Sequence, residues 1–143
     1  MEADLDMKIR RVDDIPVVDL AGDVDAYTCL KLREAIVDLV NEGESRVVIG
    51  MSNVNYIDSS GLGTLVGGLR RVSEKNGGLA ISGATPQIKK VMSITGLNKV
   101  FRVFEDEVKA VRSLKTRKGG ILNRSEQQLS TVSGNISRKA QER

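Results

Sequence analysis

Asp58, Ser59 and Ser60 stand together in the run Ile57-Asp58-Ser59-Ser60-Gly61-Leu62-Gly63, a carboxylate followed at once by two hydroxyls. An apolar segment, Val47 to Met51, comes before this run and reads as a buried strand. Leu62, Leu65, Val66 and Leu69 come after it at helical spacing. The hydroxyls therefore fall where a strand passes into the start of a helix. Backbone N–H groups that lack helical partners there, with the positive end of the helix dipole, favour an anionic group. The chemistry suited to such a loop is that of phosphate, carried either by a ligand or by one of its serines. Asp58-Ser59-Ser60-Gly61 also reads as a plain helix cap, because Asp and Ser are both favoured capping residues.

Other chemistries fit the residues less well. Gly61, Gly63 and Gly67 make GxGxxxG rather than GxGxxG, and the next strand, Leu79–Ser82, brings no acidic residue for a ribose. There is no GxxxxGK[ST] loop. Gly67 and Gly68 read instead as small residues that let a helix approach a sheet. Asp23, Asp25 and Asp58 suggest a carboxylate cluster. The chain has no histidine, however, and no further carboxylate pair at ligand spacing, so neither a metal site nor a cofactor is expected. Turn and capping roles suit Asp23 and Asp25. Cys29 falls on the apolar stripe of a helix and reads as a buried small hydrophobe. Arg70-Arg71 and Lys89-Lys90 read as solvated helix faces. No nucleophile–base pair is visible, so no catalytic residue and no enzyme is expected.

Composition narrows the function further. The 143 residues are 40% hydrophobic and 29% charged, enough for one globular core. Only four aromatics (Tyr27, Tyr56, Phe101, Phe104) argue against a stacking surface for single-stranded nucleic acid. No apolar run approaches a membrane span, and residues 1–14 are unlike a secretory signal. With a single cysteine an internal disulfide is excluded, and a cytoplasmic setting is expected. Charge is uneven. Residues 115–143 hold seven basic and two acidic residues, a net +5, while residues 1–114 carry −2.

Periodicity supplies the elements that must position the serines. Lys8–Val12 and Ile15–Ala21 read as a hairpin turning at Asp13-Asp14, with Gly22-Asp23-Val24-Asp25 breaking the second strand. A helix is expected from Tyr27 to Asn41, on a stripe of Cys29, Leu32, Ile36, Leu39 and Val40, closed by Gly43. After the serine loop, a helix reaches Lys75 and a strand covers Leu79–Ser82. Thr85-Pro86 opens a third helix that stops at Gly96. Val100–Phe104 adds a short strand, and Glu105-Asp106 opens a last helix bearing Val108, Val111 and Leu114. The order is ββαβαβα(β)α, a small mixed α/β sheet with about four helices. Residues 1–114 read as the domain. Residues 115–143, polar and basic, read as a disordered tail for which specific nucleic-acid binding is not expected.

The whole pattern resembles the STAS domain of bacterial anti-sigma-factor antagonists. Leu20-Ala21-Gly22-Asp23-Val24-Asp25 resembles that family's strand–Gly-Glu-[IL]-Asp passage. Val47 through Gly63 resembles its strand, connecting loop and phosphorylation-site loop. Thr95-Gly96-Leu97 with Val100-Phe101 resembles its late Gly-Leu…Phe segment. The likeness spans residues 5–114. It implies a partner switch in which the unphosphorylated antagonist binds an anti-sigma factor with serine kinase activity and so frees a sigma factor. Phosphorylation of the first hydroxyl after the motif Asp, here Ser59, releases the partner, and a serine phosphatase of the metal-dependent class resets the switch. Asp23, Asp25, Asp58, Ser60, Gly61, Leu62 and Gly63 are then its partner-binding or phosphosite residues. Ser60 is expected to cap a helix starting near Leu62. Two positions depart from the family pattern: Gly50 stands where an acidic residue is frequent, and Asp23 replaces the commoner Glu. The alternative is a STAS interaction module in another sensory or nucleotide-responsive complex, with Ser59 only structural.

Overall fold

Two aspartates at positive φ, Asp13 (52°) and Asp14 (68°), make the tight two-residue turn that the twist of a hairpin prefers. They join strands β1 (Leu5–Val12) and β2 (Ile15–Val24), which pair antiparallel. The computed structural model describes residues 4–115. After the hairpin come α1 (Cys29–Asn41), β3 (Arg46–Ile57), α2 (Ser59–Ser73), β4 (Gly78–Ser82) and α3 (Pro86–Thr95). A 3₁₀ turn at Leu97–Lys99, β5 (Arg102–Phe104) and α4 (Glu107–Lys115) complete the order. The five strands lie in sequence order, and β2 to β5 run parallel. This is the expected mixed sheet with four helices.

Alternation along the strands divides the core in two. Val18, Leu20, Val47, Ile49, Met51, Leu79 and Ile81 meet Leu32, Ile36 and Leu39 of α1, Leu65, Leu69 and Val72 of α2, and Ile88 and Met92 of α3. Val17, Val48 and Ala80 point the other way, onto Ala110, Val111 and Leu114 of α4. Each strand residue thus serves one face only, as a period of two requires.

Several boundaries differ from expectation, each for a physical reason. Gly22 takes φ 120° at an irregularity between Gly22 and Asp23, which lets β2 run on to Val24 instead of breaking. The segment expected as a connecting loop after Met51 is strand. Ala21, Gly22, Asp23 and Val24 of β2 pair with Asn53, Val54, Tyr56 and Ile57, so β3 extends to Ile57. Cys29 is half-buried rather than buried, because it opens α1 before that helix packs on the sheet. The last helix begins at Glu107, where the Asp106 carboxylate accepts the Lys109 N–H at 2.8 Å. It takes in Lys115, and the rest of the expected tail lies outside the described residues. Gly50 is fitted to its neighbour: a Cβ there would stand 2.5 Å from Asp19 Oδ1, so a larger residue would run against that carboxylate.

Candidate functional site

Because β3 runs unbroken to Ile57, the serines emerge directly at the C-terminal end of a central strand, beside the end of β2. Asp58 N–H donates to the Val24 carbonyl at 3.2 Å, which ties the two strand ends together. The Asp58 side chain then caps α2, its Oδ1 accepting the Gly61 N–H at 3.1 Å. Ser60 is therefore not the cap. The carboxylate two residues earlier takes that role, and the helix starts at Ser59 rather than near Leu62. A carboxylate also interacts more favourably than a hydroxyl with the positive helix end.

This early start sets the exposure of every residue that follows. Ser59 is exposed at the first helical position, and Ser60 is half-buried with its carbonyl accepting the Thr64 hydroxyl at 3.0 Å. Gly61 is buried so tightly that a Cβ would lie 2.6 Å from the Val24 carbonyl oxygen and 2.7 Å from Ile57 Cγ1. Only glycine lets α2 begin this close to the strand ends. Leu62 turns into the main core. Gly63 is exposed, and a Cβ there would touch nothing within 4 Å.

The neighbouring loop, from β2 to α1, is organised by Asp25. Its Oδ1 accepts the N–H groups of Tyr27 (2.9 Å) and Thr28 (3.0 Å), and the Thr28 hydroxyl donates to the Asp23 carbonyl at 2.7 Å. The Thr28 N–H, with further donors from Tyr27 and the Thr28 hydroxyl, holds the Asp25 carboxyl below the usual aspartate range. Asp25 is thus committed within the molecule. Asp23 is half-buried at the end of β2, opposite Tyr56 in the sheet register. Among the described residues no group of three or more metal-ligating side chains comes together.

Sequence reasoning missed the residues around this core of the site. Tyr27 is 83% exposed, Leu30 52% and Tyr56 48%, all on the segments that flank Ser59. Arg33 of α1 and Arg71 of α2 border a cavity of about 230 Å³ that also includes Ser59, Ser60, Gly63 and Gly67. Gly68 packs on α1 rather than on the sheet alone: a Cβ would lie 2.8 Å from Ile36 Cδ1 and 3.5 Å from Leu79 Cδ1. The position of Tyr27 off the apolar stripe was the available signal for the exposed patch. The pairing of α1 with α2, which makes the cavity, has no local signal.

With this geometry in place, three comparisons bear on it. The family model for the STAS domain matches residues 6–110. The anti-sigma-B factor antagonist of Staphylococcus epidermidis is 37% identical over 93 residues, which is 65% of this chain and 86% of that protein. Among solved structures, an anti-sigma factor antagonist from Mycobacterium paratuberculosis superposes with a TM-score of 0.72 at 23% identity, over 78% of this chain and 95% of its own. The Bacillus cell fate determinant SpoIIAA in its phosphorylated form gives 0.61 at 21% identity, over 75% and 97%. The last two likenesses show the shared fold. No helix among the described residues is long and apolar enough to cross a membrane.

Proposed function

The chain belongs to the STAS-domain family, and from that premise we propose that it is an anti-sigma-factor antagonist switched by phosphorylation of Ser59. One observation carries the reading: Ser59 is exposed at the first position of α2, directly after the capping Asp58, while Ser60 is half-buried behind it. A kinase has to reach the hydroxyl from solvent, and Ser59 offers that. The likeness to an anti-sigma-B factor antagonist supplies the class of partner. In this reading the unphosphorylated chain binds an anti-sigma factor with serine kinase activity. A phosphate on Ser59 adds about 1.5 to 2 negative charges at neutral pH. These sit beside Asp58, at a helix end the partner covers, so repulsion and the cost of burying charge release the partner without refolding. A metal-dependent serine phosphatase restores the hydroxyl, and the cycle runs in the cytoplasm.

The cavity beside Ser59 bears on the nucleotide-responsive alternative. At about 230 Å³ it is smaller than the roughly 300–1,000 Å³ of pockets that enclose small-molecule ligands, which favours a protein partner. The test is site mapping by mass spectrometry together with pull-down by the cognate anti-sigma kinase. Ser59→Ala is expected to bind and resist phosphorylation, and Ser59→Asp to bind weakly. Phosphate found only on Ser60, or full binding by Ser59→Asp, would overturn the mechanism.

A further inference from the structure

The groove between α1 and α2 has features that folding does not explain. Ser59, Gly63, Gly67 and Arg71 follow one another at four-residue spacing, so they line one side of α2. Glycine is the poorest helix former after proline, yet a Cβ at Gly63 or Gly67 would meet nothing within 4 Å. Gly61 and Gly68 contrast with them, since both are required by contacts inside the molecule. Across the groove stands Arg33, exposed on α1, with Ile36 beside it on the same helix. No carboxylate among the described residues pairs with Arg33 or Arg71, whereas Arg10 and Arg11 are both held in ion pairs. Leu30, half-exposed one turn before Arg33, continues the surface toward Tyr27.

We infer that this groove is a docking slot for a carboxylate-bearing side chain of the anti-sigma partner, clasped between Arg33 and Arg71. The inference rests on the function proposed above and names a contact separate from the serine itself. Charge decides the occupant: two cations without partners among the described residues border a cleft whose floor lacks side chains at Gly63 and Gly67. Size agrees, because about 230 Å³ lies below the roughly 300–1,000 Å³ of enclosed ligand sites and suits a protruding side chain. Leu30 and Tyr27, exposed on the segment leading to Arg33, add apolar surface next to arginines, and aromatics and arginine are the residue types that carry binding energy at interfaces. A phosphate on Ser59 shares the groove. It adds negative charge at the N-terminal end of the groove, about 18 Å along α2 from Arg71.

The experiment is titration calorimetry of the full unphosphorylated chain against the purified anti-sigma kinase of the same organism, with melting temperatures recorded for every variant. Arg33→Glu with Arg71→Glu, and separately Gly67→Leu, are expected to weaken binding by about tenfold or more while melting no lower than wild type. Arg33→Lys with Arg71→Lys retains most of the affinity. Loss of binding in Ser59→Asp with unchanged binding in the groove variants would sink this inference and leave the phosphoswitch standing. If the wild-type chain does not bind the kinase, both fall. Nucleotide binding abolished by the arginine substitutions would also overturn the slot, since the groove would then belong to a small ligand.

Discussion

The face covered by α4 and the end of the sheet that carries Ser59 treat charge and apolar surface in opposite ways. On the α4 side, Arg10 of β1 is held by Asp19 of β2 at 2.5 Å and by Glu107 of α4, and Lys115 reaches Asp13 at 3.2 Å. The side chains of Ala110, Val111 and Leu114 are buried. At the Ser59 end, Arg33 and Arg71 pair with no described carboxylate, and Tyr27 and Tyr56 face solvent. On the α4 side folding pairs Arg10 and Lys115, although Val108 stays 60% exposed. The other region leaves Arg33 and Arg71 without a carboxylate partner among the described residues and its aromatics exposed. Under the proposed function, this open surface is where a partner completes the molecule.

The contrast breaks most sharply at Leu114 and Tyr27. Leu114 is fully buried in the smaller core, so Leu114→Ala is expected to cost about 2–5 kcal/mol in denaturant unfolding. Tyr27→Ala, at 83% exposure, should move stability by less than about 0.5 kcal/mol yet weaken partner binding. If Tyr27→Ala unfolded the chain, or left binding untouched, the division of the molecule into a finished and an open region would be wrong.

Much of the framework was legible in the sequence, because it depends on periodicity. Leu32, Ile36 and Leu39 announce α1 at helical spacing, and Thr85, Pro86 and Gly96 mark both ends of α3, as found. The open region was legible only in outline. Asp58 and Ser60 are both good caps, and sequence cannot say which oxygen reaches the free N–H. Close packing of Gly61 against Val24 and Ile57 decides for Asp58, and that contact joins two strands far apart in the chain. Ser52 to Tyr56 look like a loop until β2 is seen to run alongside them. Arg71 reads as a solvated helix face because nothing nearby in sequence reveals that α1 packs against α2 and places Arg33 opposite.

Within α2 the same contrast can be sharpened one residue type at a time. Gly61→Ala drives a Cβ into the Val24 carbonyl and Ile57, an overpacking expected to cost about 1–3 kcal/mol. Gly67→Ala meets no neighbour and removes a flexible residue from a helix, so it should stabilise the chain by about 0.5–1 kcal/mol. Thermal melts of the two variants side by side would refute the distinction if they shifted in the same direction.

The capping assignment predicts a smaller difference. Asp58→Ala removes the acceptor of the Gly61 N–H and is expected to cost about 0.5–2 kcal/mol. The Ser60 side chain caps nothing, so Ser60→Ala should lie within about 0.5 kcal/mol of wild type. A larger loss at Ser60 than at Asp58 would return the cap to the serine.

The smallest expected effect concerns Asp25, whose role separates structure from recognition inside the open region itself. N–H donors from Thr28 and Tyr27 favour its charged form and lower its pKa in the folded chain. The unfolded chain, lacking these donors, takes up the proton at higher pH. The resulting stabilisation is fully present above the ordinary aspartate value and is lost as pH falls through the lower folded one. Glu105, lowered by its hydrogen bond from Lys89, acts with the same sign. Asp25→Asn keeps an oxygen that can accept from Thr28 but has no charge to lose. Its stability should therefore fall less steeply than that of wild type between about pH 6 and about pH 3. Because Asp25 is only half-buried, salt screens the difference and low ionic strength is the condition to measure it. Parallel stability curves for the two proteins would mean that the Asp25 charge does not hold the loop. The carboxylate would then be free to serve the partner, as the sequence alone allowed.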